Sequence, residues 1–217
     1  MRELVIALDG PSGVGKSSTA KQVALRLQLG YLDTGAMYRA IAAEYLRLGL
    51  RQQDVGGIGR LATQAELRIS TDPKAPRVSI NGRDVTQEIR EPTISAVVSQ
   101  VARVPEVRRV LTLQMRQIIA EHNRRIVVEG RDITTVVVPD ADVRVLLTAD
   151  PGVRVGRRAA ELGESSERVV DSIVRRDQDD STVSNFMVAS EGVEVINSTE
   201  LSLDQVVAAV LELVPHE

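Results

Sequence analysis

The chain has 217 residues, and its 27 Lys and Arg against 30 Asp and Glu give a formal net charge of −3, which weighs against a general binder of nucleic acid or of anionic membranes. It has no Cys, no Trp, three Tyr and a single Phe, which excludes disulfide frameworks, thiolate metal sites and cysteine nucleophiles and argues against recognition by aromatic stacking. The length fits one domain that buries its own core, and no apolar run approaches the ~20 residues of a membrane span, so a soluble, cytoplasmic chain is expected; no long apolar helix face demands a partner, so the expectation is a monomer.

Leu4-Val5-Ile6-Ala7-Leu8 is continuously apolar and stops at Asp9-Gly10, which predicts a buried strand. Ala20, Val23, Ala24 and Leu27 recur at helical spacing and predict a helix over 17–29, closed by Gly30. A second helix is expected over 35–48, with Gly49 as its stop. Residues 51–91 lose the long helical period and gain Pro73 and Pro76. There Asn81-Gly82 lies between short alternating runs, so a small β-rich insertion with a hairpin is expected.

Helices are predicted over 92–102 and 105–121, the second opened by Pro105. Residues 125–129 and 143–148 read as buried strands, and helices over 151–162 and 166–178 flank a charged link. A short strand at 193–196 and a helix over 203–214 close the chain. Strand and helix in alternation imply an α/β fold: a parallel sheet with helices on both faces.

Gly10-Pro11-Ser12-Gly13-Val14-Gly15-Lys16-Ser17 fits G-x-x-x-x-G-K-[ST], and it falls between the first strand and the first helix, where such a loop belongs. Glycines let consecutive N–H groups curl around phosphate oxygens, and the helix that follows adds its positive end. Lys16 is expected on the β- and γ-phosphates of ATP, with Ser18 completing the loop, and the Ser17 hydroxyl on Mg²⁺. A random chain of this length matches the pattern about once in a hundred.

A phosphate loop alone does not separate a kinase from a GTPase switch or a motor, although the chain lacks the Asn-Lys-x-Asp motif that reads guanine. Lys occurs only at 16, 21 and 74, and every other cation is Arg, whose planar fork suits phosphate. Arg154, Arg157 and Arg158 stand at i, i+3 and i+4, and Arg175 and Arg176 follow on the next predicted helix. They read either as a lid that closes over transferring phosphates or as solvated faces partnered by Glu161, Glu164 and Glu167.

Gly10 to Ser18 and then Leu32-Asp33-Thr34-Gly35-Ala36-Met37-Tyr38-Arg39 resemble the opening of the bacterial cytidylate (CMP/dCMP) kinases. The likeness continues in order through Gly82-Arg83-Asp84-Val85, Glu88-Ile89-Arg90, Ser99-Gln100-Val101-Ala102 and Pro105-Glu106-Val107-Arg108. It is strong again at Glu129-Gly130-Arg131-Asp132-Ile133-Thr134-Thr135-Val136, Val138-Pro139-Asp140-Ala141, Arg176-Asp177-Gln178-Asp179-Asp180 and Asn197 to Leu203.

The resemblance implies a P-loop nucleoside monophosphate kinase fold over 1–217. Its core would be about 1–50 and 92–217, its insertion about 51–91, and its arginine-rich lid about 154–186. It also implies transfer of the γ-phosphoryl of ATP to CMP or dCMP. Thr34, Arg39 and Arg131 would hold the acceptor phosphate, Ser99, Arg108 and Asp132 the base, and Arg176 and Asp180 the sugar. Lys16, Arg131, Arg157 and Arg158 would neutralise the transferring group.

The base assignment agrees with the chemistry, since a carboxylate accepts from the cytosine N4 amino group and Arg108 donates to its N3/O2 edge. Asp132 can equally be read as the salt-bridge partner of an arginine. The chain departs from the family pattern where an Arg and Ala-Val-Ala-Pro are usual: here stand Val183, Ser184, Asn185 and Phe186. Two other readings stay open at this point, a kinase of the same core acting on UMP or AMP and a non-catalytic nucleotide-binding protein.

Overall fold

The computed structural model describes residues 2–163, 165, 170, 177–178 and 186–215. In chain order the elements begin with β1 (Leu4–Asp9), α1 (Lys16–Leu27), β2 (Gly30–Asp33), α2 (Thr34–Arg47) and α3 (Val55–Gln64). Then come β3 (Leu67–Ile69), β4 (Val78–Ile80), β5 (Arg83–Asp84), α4 (Pro92–Ala102) and α5 (Pro105–Glu121). The second half adds β6 (Arg125–Gly130), β7 (Val143–Thr148), α6 (Pro151–Leu162), β8 (Glu194–Asn197) and α7 (Leu203–Glu212).

The five long-range strands pair in the order β2-β6-β1-β7-β8, all parallel. Alternate residues of β1 separate into two cores: Val5 and Ala7 join Met37, Ile41, Val101 and Met115 on one face, while Ile6 and Leu8 join Ala20, Val23, Val206 and Val210 on the other. Burial on both faces is why the strand reads as an unbroken apolar run. Among the described residues, no helix is long and apolar enough to cross a membrane.

β2 was not expected, because Gly30 reads as a helix stop and only three apolar or polar residues follow it. Its strand character comes from pairing with β6, register Tyr31↔Val127 and Asp33↔Glu129, a contact far away in sequence. The region 51–91 also needs correction. It opens with α3, whose three glycines, Gly56, Gly57 and Gly59, mute the helical signal. The helix nevertheless forms because the Asp54 side chain accepts from Gly57 N at 2.7 Å and because Ile58, Leu61 and Ala62 bury into the first core.

The expected hairpin stands next to it. β3, β4 and β5 form an antiparallel sheet, and Asn81 (φ 51°) and Gly82 (φ 76°) make the turn between β4 and β5. Glu44 of α2, its side chain only 2% exposed, anchors this small sheet to the core. It accepts from Arg47 Nε and Nη2 at 2.7 Å and from Asn81 Nδ2 at 2.9 Å. These bonds, those from Arg47 above all, hold its carboxyl down at about 2. Of the helix predicted over 166–178, only 170, 177 and 178 lie among the described residues, as do few others of the predicted lid past 163.

Candidate active site

The carboxyl ends of β1, β2 and β6 open onto one cavity of about 450 Å³. The loop from Gly10 to Gly15 joins β1 to α1 and forms one wall. Gly10 (φ 147°) passes so close to β7 that a Cβ would overlap the Leu147 carbonyl oxygen. At Gly13 (φ 79°) a Cβ would stand 2.5 Å from the Arg154 carbonyl oxygen. The loop's shape therefore depends on the missing side chains as well as on backbone freedom. Ser12, Gly13, Gly15, Lys16, Ser17 and Ser18 line the cavity. Gly10, Pro11 and Val14 do not: Val14 is buried beneath the loop, and the Pro11 carbonyl accepts from Lys16 Nζ at 2.8 Å.

Two acids stand side by side where β2 and β6 end, Asp33 and Glu129. Burial alone would raise the Asp33 carboxyl, but Arg39 at 2.9 Å, the Ala36 N–H, Arg90 and Lys21 outweigh it and hold it below the ordinary range. Glu129, 3% exposed, is pushed up by burial and by the Asp33 charge, with Lys16, Ser17 and Tyr31 opposing. Tyr31 O–H donates to Glu129 Oε1 at 2.5 Å, and burial beside these two acids raises the phenol strongly. Thr34 Oγ1 donates to the Glu129 carbonyl at 2.7 Å, tying the start of α2 to the end of β6.

The opposite wall carries Thr34, Tyr38 and Arg39 from α2, Ser95 and Val98 from α4, Arg108 from α5, and Arg131 and Asp132 just past β6. Arg108 Nη2 donates to Asp132 Oδ2. Burial pushes the Asp132 carboxyl up and Arg108 opposes that shift. Arg131 donates to the Gly10 carbonyl and lies with its guanidinium carbon 4.6 Å from the centre of the Phe186 ring. The structure thus brings Thr34, Arg39, Arg108, Arg131 and Asp132 to one cavity with Lys16 and Ser17.

Ser99 does not line it; it is buried on α4, one turn beyond the lining residue Ser95. Arg176 and Asp180 lie outside the described residues, as do Arg175, Val183, Ser184 and Asn185.

The three arginines of α6 share one side of the helix but meet different partners. At about 100° per residue, positions 157 and 158 diverge by a quarter turn. Arg158 lines the cavity. Arg157 turns away, donating to Ser198 Oγ at 2.9 Å and to the Ser198 carbonyl at 2.7 Å. Ser198 in turn donates to the Val14 carbonyl at 3.2 Å, so Arg157 braces the back of the loop. Arg154 donates to the Ser12 carbonyl at 3.2 Å and pairs with Asp177. Asp177 also accepts from Ser12 N at 3.1 Å.

Sequence reasoning gave no role to Asp9, Asp33, Glu129 or Asp177. The signal for the first three is positional, since Asp9 and Asp33 end their strands and Glu129 is the last but one of β6, but it is readable only once the strand order is known. Of the three tyrosines, Tyr31 and Tyr45 are buried, whereas Tyr38 is half-buried and reaches the cavity.

The family model described as cytidylate kinase matches residues 6–216. A cytidylate kinase of Cutibacterium acnes is 57% identical over 215 residues, covering 98% of this chain and 96% of the relative. One of Streptomyces griseus is 44% identical over 217 residues, covering 97% and 92%. Among solved structures, an uncharacterized protein from Eubacterium ventriosum superposes with a TM-score of 0.53 at 11% identity, covering 97% of each chain, a likeness of fold alone.

Proposed function

The chain belongs to the cytidylate kinase family, and from that membership we infer that it transfers the γ-phosphoryl group of ATP to CMP or dCMP, yielding ADP and CDP or dCDP. The observation that carries this reading is a cavity in which a phosphate loop faces Arg39, Arg108, Arg131 and Asp132. The acceptor already presents an anionic phosphate oxygen, so no covalent enzyme nucleophile is required. That oxygen attacks the γ-phosphorus in line, the bond from phosphorus to the β-phosphate bridging oxygen breaks, and ADP leaves with the electron pair. Catalysis then consists of alignment and charge neutralisation.

In this proposal the N–H groups of the loop cradle the triphosphate and Lys16 follows the β- and γ-phosphates. Arg131 and Arg158, both in the cavity wall, face the transferring group, and Thr34, Arg39 and Arg131 hold the acceptor phosphate. Arg157, engaged with Ser198, supports the loop from behind and is not assigned to the reacting atoms. Asp132 accepts from the cytosine N4 amino group. Arg108, with five N–H donors, can keep Asp132 oriented while donating to the N3/O2 edge. Ser99 is proposed as the third base-reading group, and Arg176 and Asp180 as the sugar contacts.

The Ser17 hydroxyl with the carboxylates of Glu129 and Asp33 is a hard-oxygen set that fits Mg²⁺, and a Glu129 carboxyl held up by burial and then by the Asp33 charge fits a cation's arrival. Bound with the nucleotide, Mg²⁺ supplies neutralisation of the β- and γ-oxygens. The domain reading belongs to the same proposal: residues 51–91 form the substrate-side insertion, and 154–186 form a lid. The enzyme is taken as a cytoplasmic monomer whose partners are nucleotides.

A coupled assay of ADP release with ATP·Mg²⁺ against CMP, dCMP, UMP, AMP and GMP tests the reading. Release driven by CMP and dCMP is expected. No monophosphate-dependent release overturns the kinase assignment, and equal turnover of UMP removes the base-reading set.

A further inference from the structure

After Asp132 the backbone makes a wide turn over Ile133–Val137, in which Val136 N and Val137 N donate to the Asp132 carbonyl at 2.8 and 3.2 Å. Asp132 therefore occupies the capping position of this turn. An aspartate there ordinarily turns its own carboxylate back onto the first free N–H groups, which otherwise lose a partner. Ile133 is fully buried and Thr134 is 4% exposed, so water cannot serve those groups. Yet the Asp132 side chain makes no capping bond, and its carboxylate faces Arg108 and the cavity instead.

Asp9 takes its place. This residue ends β1, is 3% exposed, and immediately precedes the phosphate loop. Its Oδ1 accepts from Ile133 N at 2.9 Å, and its Oδ2 accepts from Thr134 N at 2.8 Å and Thr134 Oγ1 at 2.7 Å. A carboxylate 124 residues earlier in the chain thus caps the turn that Asp132 opens.

We propose that Asp9 is a positioning residue for pyrimidine selection: by capping the 133–137 turn from β1, it releases the Asp132 carboxylate to read the base. The proposal rests on the reading of Asp132 given above. Without Asp9, the buried Thr134 N–H, second in the turn, lies within reach of a capping aspartate, and Asp132 turns to it at the expense of the cavity.

The test measures KM and kcat with CMP and with UMP for Asp9→Asn, Asp9→Ala, Asp132→Ala, Asp9→Ala/Asp132→Ala and Thr134→Val, with binding of a fluorescent ATP analogue in parallel. Asp9→Asn keeps one acceptor oxygen and should raise KM for CMP about fivefold, and Asp9→Ala about twentyfold, as losses of charge-assisted hydrogen bonds do. The preference for CMP over UMP should fall with them, while the analogue binds within about twofold of the parent, since the lost bonds serve the acceptor side. Asp132→Ala should abolish the preference, and the double variant should be no worse than Asp132→Ala, because the two residues act in series.

If folded Asp9 variants keep the KM and the preference, the proposal is overturned; if the double loss is the sum of the single losses, Asp9 acts elsewhere and the proposal is likewise overturned. If Asp132→Ala keeps the preference, the base reading itself fails, and the proposal falls with it. Should the Asp9 variants not fold, Thr134→Val decides: it removes one of the three bonds and should raise KM for CMP about twofold to threefold, and an unchanged KM overturns the proposal.

Discussion

The two walls of the cavity are built in different ways. In the proposed reading the donor wall is one continuous segment, Gly10 to Ser18, whose work would fall largely to backbone N–H groups; its shape depends on glycines pressed against Leu147 and Arg154. The acceptor wall is assembled from α2, α4, α5 and the turn after β6, and its work falls to side chains whose orientation depends on one another, Arg108 on Asp132 and Arg39 on Asp33. A backbone site tolerates drift in its flanking side chains. A side-chain site can discriminate between similar bases, and it fails when one supporting bond is lost.

The largest expected effect tests the donor wall's one indispensable side chain. Lys16→Ala should lower kcat by about a hundred- to a thousandfold, while calorimetry with CMP alone stays near the parent value. A large loss of CMP affinity would show that the two walls are not separable. Next, Asp132→Ala should cost about a hundredfold in kcat/KM for CMP and leave binding of the ATP analogue intact.

The third prediction lies outside both walls, at the anchor of the small sheet. The Glu44 carboxyl is held near 2 against an ordinary 4.5, so its stabilisation is full above about pH 4.5 and fades as pH falls toward 2. Glu44→Gln should therefore lose about 2–3 kcal/mol at most at pH 7 and flatten the acid limb of a urea-denaturation series. The CMP/UMP preference should not change. The smallest effect is expected for Tyr31→Phe, which removes the bond to Glu129 Oε1 and should shift the Mg²⁺ concentration at half-maximal rate by about twofold to fivefold.

The same contrast decides what could be read without a structure. The donor wall is contiguous, and the strand before it and the helix after it are both visible, so Lys16 and Ser17 could be given roles from spacing. The parallel sheet was likewise legible, because strands buried on both faces leave short apolar runs at 4–8, 126–128 and 145–147. β2 and α3 were not, the first because pairing to β6 creates it and the second because tertiary burial offsets three glycines.

On the acceptor wall, the family resemblance supplied Arg39, Arg108, Arg131 and Asp132, and no local pattern would have joined them. Arg154, Arg157 and Arg158 show the opposite case. Their i, i+3, i+4 spacing spans a fan of about 100°, wide enough to separate a loop brace from a cavity residue. Asp9 was invisible as more than the end of a strand, since its partners lie 124 and 125 residues away.

The bond from Arg131 to the Gly10 carbonyl joins the two walls through a group that each must hold still. On the proposed assignment, free energy that the triphosphate contributes by holding the loop, and with it Gly10, would be felt at Arg131 and hence by the monophosphate. The converse holds with the same magnitude, because coupling between two binding equilibria is reciprocal. The two nucleotides should then sharpen each other's affinity by one common factor, measurable from either side, whichever enters first.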